Sequence, residues 1–378
     1  MNFTALSSNR WVRTGLVLAR RASGNGQHVV GDPCVVWDAE IGGWRMVLFF
    51  DPPGHGSSIS LDPDAAPDSW SDPVPLVFTN PEELPENGGT HKPFIVMDAA
   101  RPNVAAHVDG KYWLVSVSFS GDAREKRAQR AHATSLAGPW TLERGDLIAP
   151  GGVGDFDENH VDAVSGFWFA EQNQFLYFYM GYPLRKQAWS NSPYGNAIGV
   201  ASQVPGEPAV KRGIALQPSS DPDHWTSGYL GGLQVLPGVD HRWVALINAS
   251  PSRPDRSGGT TSEEPAPSLG GLAYSDSDFP VDGWVAAEQP IEWIEDIPNA
   301  ALEAGEGVNL WRQHLLQAGS TTRLLYNSGR YGTEQMYSKV LIEGSLGSAR
   351  TWHREVKSPD VRHVRPTLTR AATKSNLD

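Results

Sequence analysis

The sequence has one cysteine, Cys34, in 378 residues. A single thiol excludes an internal disulfide and a thiolate metal cage, and it is typical of a reducing compartment. The longest apolar runs, such as residues 45–50 and 175–180, are far shorter than the roughly 20 residues that a membrane-spanning helix needs. Residues 1–22 lack the long hydrophobic core of a secretory signal. We therefore expect a cytoplasmic protein that makes no membrane contact.

The sequence also lacks a block of basic residues. It has 31 Lys and Arg against 43 Asp and Glu, which gives a formal net charge of −12 and a pI near 5.4. Nucleic acid would meet a surface of its own sign, so we do not expect nucleic-acid binding. The 39% of hydrophobic residues, with 14 Trp, 10 Tyr and 12 Phe, are enough for a large buried core.

Several catalytic motifs are missing as well. The glycine-rich residues 151–154 lack the Lys-Ser/Thr ending of a phosphate-binding loop. No Gly-x-Ser-x-Gly turn lies on an α/β framework, and no His-Glu-x-x-His helix is present. These absences argue against a nucleotide site, a serine hydrolase and a zinc peptidase.

The sequence contains short β-rich runs separated by glycine and proline, which are spread along the chain (39 Gly and 29 Pro). Only residues 121–129 have the composition of a helix, and they are few and polar all round. This pattern predicts an all-β protein.

Five segments share one pattern, in which an apolar strand is followed by a polar turn and a second strand rich in aromatics. They cover residues 34–50, 104–118, 166–179, 233–247 and 311–326, and successive second strands start 62 to 80 residues apart. Several units continue with a third strand, and two of these lead into a Trp near a Pro, Trp140 and Trp284. A β-helix would repeat at a shorter interval, and a pair of sandwiches would show a linker near the middle of the chain.

The repeat therefore predicts a single-domain, five-bladed β-propeller. Its units are expected at about 28–80, 90–150, 155–220, 226–295 and 303–345, followed by a C-terminal tail at 346–378.

In a propeller, polar residues near the first strand of each unit converge on a central channel. Carboxylates that face one another there, beside His and Arg, are suited to glycoside cleavage, in which one group protonates the leaving oxygen and another activates water or attacks the sugar. The sequence places at such positions Asp32, His91, Arg101, Glu158, His160, Asp162 and Glu306.

Residues 31–38, Gly-Asp-Pro-Cys-Val-Val-Trp-Asp, and the strand at 44–50 resemble the first blade of the five-bladed propeller glycoside hydrolases, the group that includes families 43, 32, 68, 117 and 130. Gly138-Pro-Trp140 resembles the motif that closes a blade in that group. The resemblance implies a base or nucleophile in the first blade. It also implies a second Asp that stabilises the transition state or tunes a pKa, a general-acid Glu in a later blade, and often a His near the channel.

Asp32 matches the first-blade carboxylate. Counting back from the second strand of the next unit places Arg101 in the equivalent slot, so we expect the second blade to lack an Asp there. Glu158, Asp162 and Glu306 are candidates for the acid or the tuning group. The predicted substrate contacts are His91, Arg101, His160, Glu334, Arg330 and Tyr331.

Structural roles compete with these predictions. Asp32 precedes a proline, and its role could be simply to cap a turn. The acidic residues 155–162 could be solvated or could bind a divalent cation through oxygen ligands. No cofactor and no metal site are otherwise expected.

We expect a glycoside hydrolase or glycan transferase that acts on a small sugar, with furanosides among the candidates. The alternative is a repurposed propeller, either a non-catalytic glycan-binding module or a biosynthetic enzyme of the lyase or cyclase type.

Overall fold

A computed structural model of the protein describes residues 1–7, 11–19, 29–50, 54–62, 69–84, 90–120, 125–184, 187, 195–252, 268–292, 309–329 and 334–342. Within these residues the chain forms five antiparallel sheets with four main strands each. The innermost strands of neighbouring sheets contact one another in a closed ring. The fold is a five-bladed β-propeller, as the sequence predicted.

Each blade is a meander that starts at the central channel and runs outward, so its innermost strand comes first. These strands are buried along most of their length, because they pack against the neighbouring blades on both sides. From blade one to blade five they are Val30–Asp38, Thr90–Ile95, His160–Phe169, Tyr229–Pro237 and Asn309–Ala318.

The other strands follow in the same blade order. The second strands are Gly43–Phe50, Lys111–Ser120, Gln174–Tyr182, Trp243–Ser250 and Thr321–Gly329. The third strands are Gly56–Ser60, Glu125–Ala133, Ala197–Gln203, Leu269–Ser275 and Gln335–Leu341. The outermost strands are Val74–Pro75, Thr141–Leu142, Val210–Leu216, Val285–Ala286 and Trp11–Leu18.

Smaller elements complete the described chain. They are the strands Met97–Asp98 and His107–Val108, the helix Phe3–Leu6, and the 3-10 turns Pro81–Glu83 and Ala170–Gln172. Among the described residues, none of the helices has the length and apolar character needed to cross a membrane.

The outermost strand of blade five comes from the start of the chain. Trp11–Leu18 pairs antiparallel with Gln335–Leu341, with Trp11 opposite Leu341 and Leu18 opposite Met336. The sequence analysis had placed the whole fifth unit at 303–345. The pairing instead joins the two ends of the described chain in one sheet and covers a strand edge that would otherwise be open. The predicted tail at 346–378 lies outside the described residues.

Residues 125–129, which have helix-forming composition, lie in the third strand of blade two. Glu125 to Ala133 pairs residue by residue with Ser120 to Tyr112. Sheet pairing here outweighs the weak helix preference of a short segment. Alternate side chains of this strand therefore point to opposite faces, which brings Lys126 towards the third blade.

Large aromatic side chains fill the space between blades. Trp44, Trp140 and Trp225 are among the largest fully buried side chains. The backbone of Trp140 in the Gly-Pro-Trp motif bonds to Val77 and Thr79, between blades one and two. Cys34 is completely buried, and burial raises the pKa of its thiol to about 12, so it is an unreactive core residue.

Candidate active site in the central channel

Each innermost strand carries a β-bulge near its start, where the register with the second strand shifts. Within each bulge one residue has a positive φ angle, between 27° and 56°, a region of backbone conformation that favours glycine. Bulges of this kind re-aim side chains and are common beside active sites. The five equivalent residues, in blade order, are Asp32, Lys92, Ala163, Gly232 and Arg312.

Lys92, and not Arg101, occupies the position in blade two that corresponds to Asp32. Arg101 lies beyond the inner strand of its blade, with its side chain 53% exposed and paired with Asp98. The nearby Val104 forms a β-bridge with Trp37, which lies five residues after Asp32 on the inner strand of blade one. At roughly 3.3 Å per residue, Trp37 is about 16 Å from Asp32, so Arg101 lies towards the other end of the channel. Counting back from the second strand failed because two short strands, Met97–Asp98 and His107–Val108, lengthen the connection in this blade.

We call the end of the channel at which the inner strands begin the channel mouth. At the mouth, Asp162 accepts hydrogen bonds from two lysines. The ammonium of Lys92 lies 2.9 and 3.0 Å from the two carboxylate oxygens, and that of Lys126 lies 2.5 Å from Oδ2. The backbone N–H of Ala163 donates to Oδ1 at 2.7 Å. Burial alone would raise the pKa of Asp162, but the charges of Lys126 and Lys92 hold it well below its usual range. Asp162 is therefore ionised at neutral pH.

The two lysines differ in their electrostatic balance. Burial tends to lower the pKa of Lys92, but Asp162 and Asp32 together raise it above its ordinary value. For Lys126 burial outweighs the attraction of Asp162, and its pKa is lowered. Lys126 therefore gives up its proton more readily than an exposed lysine does.

Asp32 is the carboxyl at the mouth that is suited to proton transfer. It is buried, and its backbone N–H donates to Oδ1 of Asn327 at 3.2 Å. Burial raises its pKa, although the nearby charges of Lys92 and Arg312 oppose that rise. A carboxyl whose pKa moves towards neutrality is the type that serves as a general acid or base.

Arg312 links blades two, three and five at the mouth. Its guanidinium donates to the backbone carbonyl of Val164 and, at 3.4 Å, to that of Lys92. It also lies 5.4 Å from the centre of the Phe94 ring. Asp32 and Asp162 both stabilise its charge against the cost of burial. We refer to Asp32, Lys92, Lys126, Asp162 and Arg312 as the channel cluster.

The bulge position of blade four is occupied by Gly232, which has no side chain. A Cβ atom at Gly232 would lie 2.6 Å from Oδ1 of Asn248, and one at Gly231 would lie 2.8 Å from Sδ of Met180. The general-acid Glu that the family resemblance implies is thus at none of the five bulge positions.

Deeper in the channel, polar side chains bind the backbone of the inner strands. Nε2 of His314 accepts the backbone N–H of Val35 at 3.1 Å and lies 3.0 Å from Nδ2 of Asn103. The side chain of Gln234 accepts the N–H of Leu315 at 2.7 Å. Burial lowers the pKa of His314 to about 3, so this imidazole is neutral at physiological pH. The sequence analysis did not single out His314, although the resemblance implied a histidine near the channel.

The remaining predicted residues have varied surroundings. Glu158 accepts the backbone N–H of Gly154 at 3.0 Å, within its own loop. Nδ1 of His160 accepts the backbone N–H of Lys126 at 3.3 Å, and burial and the charge of Lys126 lower its pKa. His91 is buried beside Phe49, and burial lowers its pKa to about 3.

Glu334 is buried, and its backbone carbonyl accepts a hydrogen bond from the backbone N–H of Val30, which lies two residues before Asp32. Three further predicted residues, Glu306, Arg330 and Tyr331, lie outside the described part of the chain, so their roles stay predictions.

The structure favours a structural role for the acidic loop. The carboxylate of Asp157 accepts the hydroxyl of Tyr179 at 2.9 Å and the ammonium of Lys211 at 2.6 Å, so protein donors already surround it. Within the described residues, no three or more His, Cys, Asp or Glu side chains form a group that could hold a metal ion.

Solved structures give an independent comparison. No protein-family model and no curated protein matches the chain in sequence. A structure described as a glycoside hydrolase matches with a TM-score of 0.63 and 11% identity, over 89% of this chain and 94% of its own. The fold is that of the propeller glycoside hydrolases.

Two further structures agree. A thermostable family-43 glycoside hydrolase matches with a TM-score of 0.56 and 13% identity, over 86% of this chain and 94% of its own. The catalytic domain of a family-62 α-L-arabinofuranosidase from Coprinopsis cinerea gives 0.56 and 15%, over 88% and 97%. At these identities the comparison establishes the fold, and the resemblance drawn from residues 31–50 is confirmed at that level.

Proposed function

We propose that the protein is a glycosidase whose reaction takes place at the channel cluster, with a small carbohydrate as substrate. The observation that carries the proposal is the burial of Asp32 at the bulge of blade one, because burial raises the pKa of this carboxyl and its neighbours are the charged groups of the channel cluster. The fold that this chain shares with glycoside hydrolases supports the same reading. Asp32 acts as the base that activates water or as the nucleophile that attacks the sugar.

Asp162 has a different role in this scheme. A group that stays ionised cannot donate a proton to a leaving oxygen, so Asp162 positions Lys92 and Lys126 instead of serving as the acid. Glu158 is committed to its own loop. Of the three predicted acids, Glu306 is therefore the one we retain.

Substitution of Asp32 tests the proposal. Asp32→Asn keeps the size of the side chain and removes its protonation change, so hydrolysis of aryl glycosides should fall while sugar binding persists. Asp278→Asn is the matched control, since this exposed carboxylate pairs with Arg242 on the surface of blade four. Inactivity of the wild type on a broad panel of aryl glycosides and oligosaccharides would contradict hydrolysis and favour a glycan-binding module.

The retained acid has its own test. Glu306→Gln should abolish cleavage of oligosaccharides but spare aryl glycosides with acidic phenols, because a good leaving group departs without protonation. Glu303→Gln, in the same segment of the sequence, is the control. Equal loss on both substrate types would remove Glu306 from this role.

A second candidate is a lyase, which the positive charge of the channel cluster and the lack of a carboxylic acid at the bulge of blade four favour. In such a reaction the neutral amine of Lys126 takes the proton next to a sugar carboxylate, while Lys92 and Arg312 stay cationic. The electron pair left on that carbon forms a carbon–carbon double bond as the C–O bond at the neighbouring carbon breaks, and the departing oxygen takes up a proton from water. Cations that neutralise the carboxylate make that carbon acid stronger. Ultraviolet absorbance of the unsaturated product distinguishes this reaction from hydrolysis.

A further inference from the structure

The charges of the channel cluster do not balance. Within the described residues, the cluster sets Lys92, Lys126 and Arg312 against the carboxyl groups of Asp32 and Asp162, so these five side chains carry a net charge of +1 with Asp32 ionised and +2 with Asp32 protonated. The neighbouring His91 and His160 do not change this balance, because burial lowers the pKa of both and favours their neutral forms. Buried cations without full compensation are costly, and a bound anion offsets that cost.

This local excess is opposite in sign to the whole protein, whose formal charge is −12. The positive charge is therefore a local property of the channel, because the protein as a whole is acidic. A neutral sugar can only accept ordinary hydrogen bonds from these groups. A sugar that carries a negative group also gains the attraction of their charge.

The accessible part of the cluster is its cationic part. The side chains of Lys92 and Lys126 are 23% and 22% exposed, whereas Asp162 between them is 1% exposed. Asp162 thus anchors the two ammonium groups from within the protein, while part of each lysine side chain stays exposed. A ligand at the mouth therefore reaches the lysines more readily than the carboxylate between them.

From this arrangement we propose that the channel binds a sugar bearing an anionic group, a carboxylate or a phosphate, which lies against Lys92 and Lys126. The proposal rests on the channel being the substrate site, as in the proposed function, and it specifies the substrate class. Charge-assisted hydrogen bonds to the two ammonium groups supply the selectivity. Arg312 adds to the attraction from deeper in the cluster.

Calorimetric titration of the intact protein at low salt tests this inference without requiring turnover. The probes are galacturonic acid, galactose 6-phosphate and neutral galactose and arabinose. We expect at least one of the two anionic sugars to bind about tenfold or more tightly than the neutral ones, which corresponds to about 1.4 kcal/mol. This preference should shrink as salt is raised. The relative affinity of the carboxylate and the phosphate identifies which anion the site takes.

Variants of Lys126 localise the effect. Lys126→Met should remove most of the preference, because it deletes one charge and leaves Asp162 paired with Lys92. Lys126→Arg should retain it. Lys111→Met is the matched control, since Lys111 begins the second strand of the same blade, at the end remote from the mouth, and lies against Trp113. Thermal melting shows whether each variant is folded.

Equal affinity for neutral and anionic sugars, binding of neither anion, or a salt-independent preference in the wild type would overturn the inference. A folded Lys126→Met protein with an unchanged preference would do so as well. Cleavage of neutral furanosides without uptake of either anion would refute only this inference and leave the glycosidase standing. Binding of anionic sugars without cleavage of any substrate would support this inference and refute the glycosidase activity.

Discussion

Lys92 and Asp32 occupy equivalent positions in neighbouring blades and have opposite charges. Both have a positive φ, 56° and 51°, both lie in the bulge of an inner strand, and both precede a proline. The backbone geometry is thus repeated while the chemistry is reversed. Lys92 also donates a hydrogen bond to Asp162 of the third blade, and Asp32 of the first blade helps to stabilise its charge. The lysine of blade two therefore links the carboxylates of blades one and three at the channel mouth.

Asp32→Asn is expected to lower kcat by about 10²- to 10⁴-fold, the usual contribution of a positioned acid or base. The amide matches the carboxyl in size, so the melting temperature should stay close to that of the wild type. Steady-state kinetics on the best substrate and thermal unfolding of the same sample measure the two effects. Activity at the level of the Asp278→Asn control would exclude Asp32 from the chemistry.

Asp162→Asn should be strongly destabilising, because it leaves two buried ammonium groups without their carboxylate. Removing one partner of a buried ion pair costs about 3–5 kcal/mol, and the partial exposure of the lysines places this case near the lower end. Urea unfolding provides the measurement. Glu83→Gln, which breaks the exposed pair with Arg144, is the comparison and should cost less than about 1 kcal/mol. Equal costs would mean that the Asp162 pair is effectively solvated.

The five-blade architecture could be predicted from the sequence because each blade repeats the same local pattern of apolar strands and turns. The pairing of Trp11–Leu18 with the last blade could not be predicted. The two segments are more than 300 residues apart, and the sequence of neither one indicates which strand it pairs with. Asp32 was predicted from its Asp-Pro motif. Residues 91–93, His-Lys-Pro, have a charged residue before a proline in the same way. The sequence analysis missed Lys92 because it assumed that the same number of residues separates this position from the second strand in every unit.

Lys126 and Arg312 were missed for other reasons. Lys126 lies in a segment whose composition favours a helix, so its position on one face of a strand was not apparent. Arg312 lies in a bulge, which shifts the alternation of side chains by one residue and cannot be located from apolar pattern alone.

Acid should destabilise the protein through its buried histidines. His91 and His314 have pKa values of about 3 when folded, against an ordinary value near 6.5. The unfolded chain therefore binds protons that the native state refuses, and stability falls as the pH drops below about 6.5, by up to about 1.4 kcal/mol per pH unit for each histidine. Asp162, whose pKa is lowered, adds a further loss below about pH 4.

Urea unfolding of the wild type between pH 7 and pH 5 measures this slope. His314→Gln should have a shallower slope than the wild type, and His91→Gln provides a second variant if the first folds poorly. A slope that is the same in all three proteins would show that neither imidazole is buried in its neutral form.

The strand that closes blade five should be necessary for stability. Leu18 is buried opposite Met336, whereas Leu16, two residues earlier on the same strand, is 45% exposed. Leu18→Ala should cost about 2–4 kcal/mol through lost burial and a residual cavity. Leu16→Ala, the same chemical change at a partly solvated position, should cost about 0.5 kcal/mol. Urea unfolding of the two variants compares these costs, and a small, equal effect would mean that Trp11–Leu18 contributes little to the closed ring. A loss confined to Leu18→Ala, accompanied by aggregation on mild heating, would indicate that detachment of this strand exposes the edge of Gln335–Leu341.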